Sequence, residues 1–152
     1  MKLTNNETGR GYTDVTVLTA ADLAAIAAAG GTRVIGLIPK GGGIRGASIS
    51  TSRTFVTAGT NTPVAPTGAV SVGIPGALAK HIASAVPPAT VDVAARFNSG
   101  SGWSAYVAGG VIDIPTTADI PVLLIVAAGN YATLDGQIVI TLDIIAPVSQ
   151  VF

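Results

Sequence analysis

Side chains that could carry out catalysis are scarce in this chain and form no recognisable set. His81 is the single histidine among 152 residues, and cysteine is absent. A catalytic triad, a histidine zinc site and a cysteine nucleophile each need partner residues at set distances. No carboxylate stands beside His81 in the segment Ala79-Lys80-His81-Ile82. We therefore interpret His81 as a surface or loop residue.

The acidic residues show no metal-binding or catalytic pattern. An EF-hand calcium loop carries acids at alternate positions, and a glycosidase needs two carboxylates about 5–10 Å apart in a cleft. Asp113 and Asp119 could approach each other across Pro115–Ala118, but acids in such loops more often stabilise turns. The sequence predicts no enzyme, no metal site and no cofactor. The acids are Glu7, Asp14, Asp22, Asp92, Asp113, Asp119, Asp135 and Asp143.

Two further motifs resemble ligand sites only superficially. Lys40 precedes Gly41–Gly43, whereas a phosphate-binding P-loop has its glycines before the lysine and opens a helix. Trp103 could stack on a sugar ring, but it alternates in register with Ala105 and Val107, which is typical of core packing. The alternative hypothesis is a carbohydrate- or receptor-binding module of a virion fibre or lectin-like protein. That hypothesis requires an exposed aromatic residue or a calcium-dependent acid cluster.

The composition favours association with other proteins. Charged residues make up 11% of the chain, 8 basic and 8 acidic, while 49% of residues are hydrophobic. Soluble domains average about 25% charged residues, and a chain of this mass exposes roughly 7,000 Å². Some surface is therefore expected to be buried against other chains, with Ser, Thr, Asn and Gly covering part of the rest. A net charge of +0 argues against a nucleic-acid partner, which clustered Lys and Arg would meet.

Neither a membrane segment nor an export signal is expected. The longest apolar runs, 20–29 and 120–128, are shorter than the roughly 20 residues that a membrane helix needs. Met1–Gly11 is polar, and no apolar signal region follows it. The sequence therefore predicts synthesis in the cytoplasm of the producing cell and no membrane partner.

One short helix is predicted near the N-terminus. Thr19 and Asp22 have the spacing of an N-terminal helix cap, and the alanine-rich sequence to Ala29 favours helix. Gly30-Gly31 supplies a stop. The prediction is a helix over 20–29 with Leu23 and Ile26 towards the core. The segment 76–85 could hold a second short helix.

The remainder predicts strands, because apolar and polar residues alternate with a period of two. Turn residues separate these segments, which indicates an all-β fold: an antiparallel β-sandwich with one or two short helices. Residues 12–147 are assigned to this single domain, 1–11 to a flexible N-terminal arm and 148–152 to an apolar C-terminal tail. The predicted strands are 14–18, 33–38, 47–55, 70–74, 91–97, 103–107, 111–114, 120–127 and 137–145.

One predicted strand differs from the others because it is apolar at both odd and even positions. The segment 120–127 therefore indicates a strand buried on both faces, either in the centre of a sheet or at a subunit contact. Val151-Phe152 would also be costly to leave in water. The predicted oligomer or capsid contact residues are Ile120, Val122, Leu123, Leu124, Ile125, Val126, Val148, Val151 and Phe152.

Several segments resemble those of the small head decoration (cement) proteins of tailed bacteriophages. The resemblance covers roughly residues 32–145 and is carried by Leu37–Gly41, Ile44–Ser50, Ser71–Ile74 and Leu134–Ile140. It implies a jelly-roll-like sandwich that forms a homotrimer on the exterior of the virion capsid. It also implies the major capsid protein as a partner, with stability gained by the shell on binding. The predicted helix over 20–29 departs from the pattern.

Overall fold

The computed structural model describes residues 2–7, 11–75, 83–98 and 118–145. These ranges contain nine strands, one α-helix and one turn of 3-10 helix at Tyr131–Thr133. The predicted strands at 103–107 and 111–114 lie outside the described residues. The elements are β1 Lys2–Glu7, β2 Gly11–Thr19, α1 Ala20–Ala28, β3 Thr32–Ile38, β4 Gly43–Thr57, β5 Val70–Gly73, β6 Ala83–Ala85, β7 Asp92–Asn98, β8 Ile120–Val126 and β9 Leu134–Ile145.

The strands form two antiparallel sheets. Sheet A has the order β1-β2-β9-β4-β7, and sheet B has the order β3-β8-β5-β6. Among β2 to β9 the strand pairs are nested in sequence, so that the first strand pairs with the last and the two middle strands pair with each other. The pairs are β2 with β9, β3 with β8, β4 with β7 and β5 with β6. This is the strand order of a jelly roll. The prediction of an all-β antiparallel sandwich is confirmed.

The core lies between the two sheets and consists of the inward residues of each strand. Ile138, Ile140, Leu142 and Ile144 on β9 are each at most 1% exposed. Because side chains alternate between the two faces of a strand, every second residue enters the core. Each such side chain contributes about 1.5–3 kcal/mol relative to an exposed one. Opposite them lie Val122, Leu124 and Val126 of β8 and Val70 and Val72 of β5.

Helix α1 begins with the predicted cap. Thr19 Oγ1 accepts a hydrogen bond from the Asp22 N–H (3.2 Å), and Asp22 Oδ2 accepts one from the Thr19 N–H (2.9 Å). The helix ends where Gly31, with a φ of +79°, donates its N–H to the Ile26 carbonyl at 2.8 Å. Leu23 and Ile26 are buried as predicted. The helix packs against β9 and the 3-10 turn, and so closes one end of the core.

Two loops beside α1 are held together by a set of contacts that the sequence patterns did not reveal. Asn130 Oδ1 accepts the Thr67 N–H at 2.9 Å, and Tyr131 Oη donates to the Gly68 carbonyl. Burial raises the pKa of Tyr131 to about 12. A Cβ at Gly129 would lie 2.5 Å from the Gly68 nitrogen, so this close approach requires glycine. The loop before β5 is therefore fixed to the loop after β8.

Three predictions differ from the structure. Residues 2–7 form an edge strand paired with β2, so the flexible-arm prediction is wrong there; a polar strand is well suited to an exposed edge. Ala83–Ala85 form strand β6 where the sequence allowed a helix, and 76–82 lie outside the described residues. Strand β7 begins at Asp92, one residue later than predicted, and Val91 precedes it with 62% of its surface exposed.

Replacement of the helix cap is expected to destabilise the fold. Thr19→Ala removes the hydroxyl that accepts the Asp22 N–H, and losses of this kind cost about 1 kcal/mol. Thr62→Ala is the control, since Thr62 is exposed in a loop. Urea denaturation should show a lower unfolding free energy for the first variant and little change for the second. Equal stability of the two variants would contradict the capping role.

The contribution of Asp22 is expected to depend on pH. Its hydrogen bond from the Thr19 backbone, and to a lesser extent the charge of Arg33, lowers the pKa of Asp22 below 3.8. A lowered folded-state pKa stabilises the protein above pH 3.8, and this stabilisation disappears as the pH falls through the folded-state value. The difference in unfolding free energy between wild type and Asp22→Asn should therefore be constant above about pH 5 and should shrink below pH 3.8. A difference that grew on acidification would contradict this assignment.

Candidate interaction surface

Strand β8, the predicted contact strand, lies in the middle of sheet B between β3 and β5. Val122, Leu124 and Val126 point into the core and are at most 3% exposed. Their predicted contact role is wrong, because the chain buries them itself. Ile120, Leu123 and Ile125 are half-buried, and Leu123 and Ile125 alternate with the core residues, which places them on the outer face. Val148, Val151 and Phe152 lie outside the described residues.

The outer surface of β8 continues onto β3. Val34 pairs with Leu123 and Leu37 pairs with Pro121, so these side chains lie side by side on the outside of sheet B. Val34 is 59% exposed and Leu37 is 44% exposed. We call Val34, Leu37, Pro121, Leu123 and Ile125 the apolar face. Hydropathy alone could not separate the residues of this face from the core residues beside them, whereas strand register does.

The rest of the outer surface of sheet B is also uncharged. Thr32 pairs with Ile125 at one side of the apolar face. On the other side, the Ser71 Oγ of β5 lies 2.9 Å from the Ser84 Oγ of β6; Ser71 is only 6% exposed, whereas Ser84 is exposed. Among the described strand residues of this sheet, only Arg33 carries a charge; it pairs with the buried Leu124 and lines the β2–β3 cleft rather than the apolar face. Such a surface can meet another protein without the cost of desolvating a charge.

Sheet A has a different outer surface, rich in hydroxyl groups. Thr13 Oγ1 donates to Asp143 Oδ1 at 3.1 Å, and Ser52 Oγ donates to the Gln137 carbonyl at 3.3 Å. Asp135 and Arg53 are exposed on the strands of this sheet. Serine, threonine and a few charged groups therefore hydrate sheet A, while sheet B presents apolar side chains.

A cleft of about 520 Å³ runs between β2 and β3. Thr16, Val17 and Leu18 line one side, and Arg33–Leu37 line the other, with Asp22 at the helical end. At the opposite end Tyr12 Oη donates to the Leu37 carbonyl at 3.1 Å. Partial burial, and then the charges of Asp14 and Asp119, raise the pKa of Tyr12. The lining contains one acidic residue, Asp22, and one basic residue, Arg33, and the charge of Arg33 contributes to the lowered pKa of Asp22.

The remaining candidate motifs take structural positions where the structure describes them. The Lys40 N–H donates to Asp119 Oδ1 at 2.8 Å, and Gly41 has a φ of +75° in the turn before β4. This confirms Lys40–Gly43 as a turn followed by a strand. Within the described ranges, no three His, Cys, Asp or Glu side chains could share a metal ion. His81, Trp103 and Asp113 lie outside those ranges.

Over the same ranges, no helix has the length and apolar character needed to cross a bilayer.

Comparison with known proteins identifies a shared fold. No protein-family model matches the chain, and no curated protein matches it. Among solved structures, the chain is similar to a chain of the cyanophage Pam1 capsid asymmetric unit, with a TM-score of 0.51 and 15% sequence identity. The match covers 95% of this chain and 92% of that chain. The likeness at this identity is one of fold, and it extends over nearly the whole of both chains.

Adjacent leucines on β8 provide a test of the apolar face. Leu124 is fully buried and Leu123 is half-buried, so truncation should affect them differently. Leu124→Ala is expected to lower the unfolding free energy by about 2–5 kcal/mol, the range for a buried leucine. Leu123→Ala should cost about 1 kcal/mol or less, as for a side chain that keeps part of its contact with water. Chemical denaturation measures both, and a larger loss for Leu123 would contradict the assigned faces.

Proposed function

We propose that this protein is a structural component of a phage head, attached to the capsid exterior as a homo-oligomer that stabilises the shell. The single observation that supports this most strongly is the uncharged apolar face on a jelly-roll sandwich. The fold similarity to a chain of a phage capsid asymmetric unit supports the viral role. The resemblance of 32–145 to decoration proteins supports the exterior position and the trimer.

The energetics of one apolar face favour attachment through several copies. Apolar patches on monomers commonly measure about 300–600 Å², which corresponds to roughly 7–15 kcal/mol at 25 cal/mol per Å². Association costs an estimated 4–15 kcal/mol, so a single face would bind weakly. A homotrimer presents three such faces in fixed geometry, and linked contacts strengthen binding without any new kind of contact. Oligomerisation and capsid binding therefore support each other in this proposal.

A contact-based role also agrees with the residues available for chemistry. The chain has one histidine and no cysteine, and the charged residues that line the β2–β3 cleft are one acid, Asp22, and one base, Arg33. The apolar face has a stated physical use, since its burial against a lattice of identical subunits would raise the free energy needed to disrupt the shell. The proposed partners are further copies of the chain and the major capsid protein, and the proposed location is the virion.

Two measurements test the proposal. Mass photometry of the purified protein should show an oligomer, about 45 kDa for three copies of the 15.0 kDa chain. In co-sedimentation with purified heads that lack the protein, wild type should pellet with the particles. Leu123→Lys should lose most of this binding, because it places a charge in the apolar face. Val91→Lys, at a valine that is 62% exposed outside that face, is the matched control and should still bind.

Thermal stability of the heads provides the readout of function. Heads with bound protein should rupture at a higher temperature than bare heads, and the Leu123→Lys protein should give no protection. A clean 15.0 kDa monomer at micromolar concentration together with no pelleting would overturn the proposal. Equal loss of binding by both lysine variants would show that the apolar face is not the attachment surface.

A further inference from the structure

The strand that carries the most exposed part of the apolar face lies at the end of its sheet. Among the described strands of sheet B, β3 is the outermost and pairs with β8. Val34 is 59% exposed and Leu37 is 44% exposed on this strand. A surface gains affinity for a partner when its side chains are already held in the position that binding requires. What fixes β3 near these two side chains therefore matters for any contact that they make.

The ladder between β3 and β8 is irregular in the segment that holds both side chains. Its register shifts between Val34 and Gly36, which leaves Ile35 as an extra residue. A bulge of this kind disrupts the ladder locally and bends the strand that contains it. Pairing with β8 is therefore least regular between Val34 and Leu37.

Hydrogen bonds to the two ends of β8 fix the chain before and after β3. Before the strand, the Gly31 carbonyl accepts the Val126 N–H at 2.8 Å. After the strand, the Lys40 N–H donates to Oδ1 of Asp119, next to the start of β8, at 2.8 Å. The ends of β3 are thus secured to sheet B, and the irregular segment lies between them.

A hydrogen bond from the other sheet supports this segment at Leu37. Tyr12 of β2 pairs with the fully buried Ile144 of β9, so the Tyr12 ring lies on the inward side of sheet A. The ring packs against the core, and its hydroxyl donates to the Leu37 carbonyl at 3.1 Å. Because packed sheets lie about 10 Å apart, this connection needs a long side chain that ends in a donor. Tyr12 thus joins sheet A to the part of β3 that follows the bulge.

Close packing at the preceding residue keeps β3 near sheet A. A Cβ at Gly36 would lie 3.0 Å from Leu142 Cδ1 and 3.5 Å from Asp14 Oδ2. Leu142 and Asp14 are a cross-strand pair of β9 and β2, and both are buried. The absence of a side chain at Gly36 therefore lets the β3 backbone lie within reach of the Tyr12 hydroxyl.

We propose that Tyr12 is a positioning residue of the apolar face, because its hydroxyl fixes the β3 backbone at Leu37 before a partner binds. This inference rests on the proposed function, in which the apolar face contacts the capsid. The Tyr12 ring lies between the sheets, so Tyr12 acts on the contact through Leu37. Without the hydrogen bond, β3 is held less firmly against sheet A, and part of the binding free energy is lost in ordering it.

Tyr12→Phe tests the hydrogen bond alone, since it removes the hydroxyl and keeps the ring. Co-sedimentation with purified heads that lack the protein, at a temperature where the variant is fully folded, measures its affinity. The affinity should be at least about fivefold weaker than that of wild type, as expected for a loss of preorganisation. Ser52→Ala is the matched control, because it also removes an exposed hydroxyl that donates to a backbone carbonyl, that of Gln137, on sheet A. The control should bind like wild type.

A double-mutant cycle with Leu37 separates positioning from a general loss of stability. Leu37→Ala removes the side chain that Tyr12 holds in place and should itself weaken binding. If Tyr12 acts through Leu37, Tyr12→Phe should cause little further loss of binding in the Leu37→Ala protein. Losses that simply add would overturn this inference, as would equal binding by Tyr12→Phe and wild type. Either result would leave the proposed function standing.

Hydrogen exchange in the free protein provides a readout that needs no capsid. Tyr12→Phe should increase the exchange rates of the Gly36 and Ile38 amides beside Leu37 and leave that of Ile140 in β9 unchanged. Equal exchange of Gly36 and Ile38 in the two proteins would overturn the inference whatever the binding result. Faster exchange in the variant together with no binding by wild type would overturn the proposed function, and with it the contact role of Tyr12.

Discussion

The alternation of side chains along the strands is the constraint on which the rest of this structure depends. Each strand of the sandwich buries every second residue between the sheets, as Ile138 and Ile140 of β9 and Leu124 of β8 do. Those positions are committed to the core and can contact no partner. Helix α1 and the loops fixed by Asn130 then close the end of the core. Only the outward residues and the strand edges can therefore contact another protein.

The two outer surfaces explain the scarcity of charge in different ways. On sheet A, hydroxyl groups such as those of Thr13 and Ser52 meet water and bond to neighbouring strands, so few charges are needed. On sheet B, the outward residues around Leu123 are apolar and uncharged, and water is a poor environment for them. Although only 11% of its residues are charged, the chain thus has a hydrated outer surface on sheet A and an outer surface suited to association on sheet B.

Local signals predicted the elements that depend on local interactions. The cap at Thr19 and the period of two from Ile138 to Ile144 predicted α1 and β9, because capping and alternation are properties of neighbouring residues. Strand β1 was missed because its polar sequence gains its order from pairing with β2. The apolar residues of β8 were predicted as one group, because hydropathy does not tell which parity faces the core. The pairing of Val34 with Leu123 depends on the fold and could not be read from either segment alone.

Strand β3 carries the apolar face to the margin of sheet B, since Val34 and Leu37 belong both to that face and to the lining of the β2–β3 cleft. Val34 is 59% exposed and Leu37 is 44% exposed, whereas Leu123 and Ile125 beside them are half-buried. The part of the apolar face that is most accessible to a partner therefore lies on the outermost strand of the sheet, where no further described strand limits the approach.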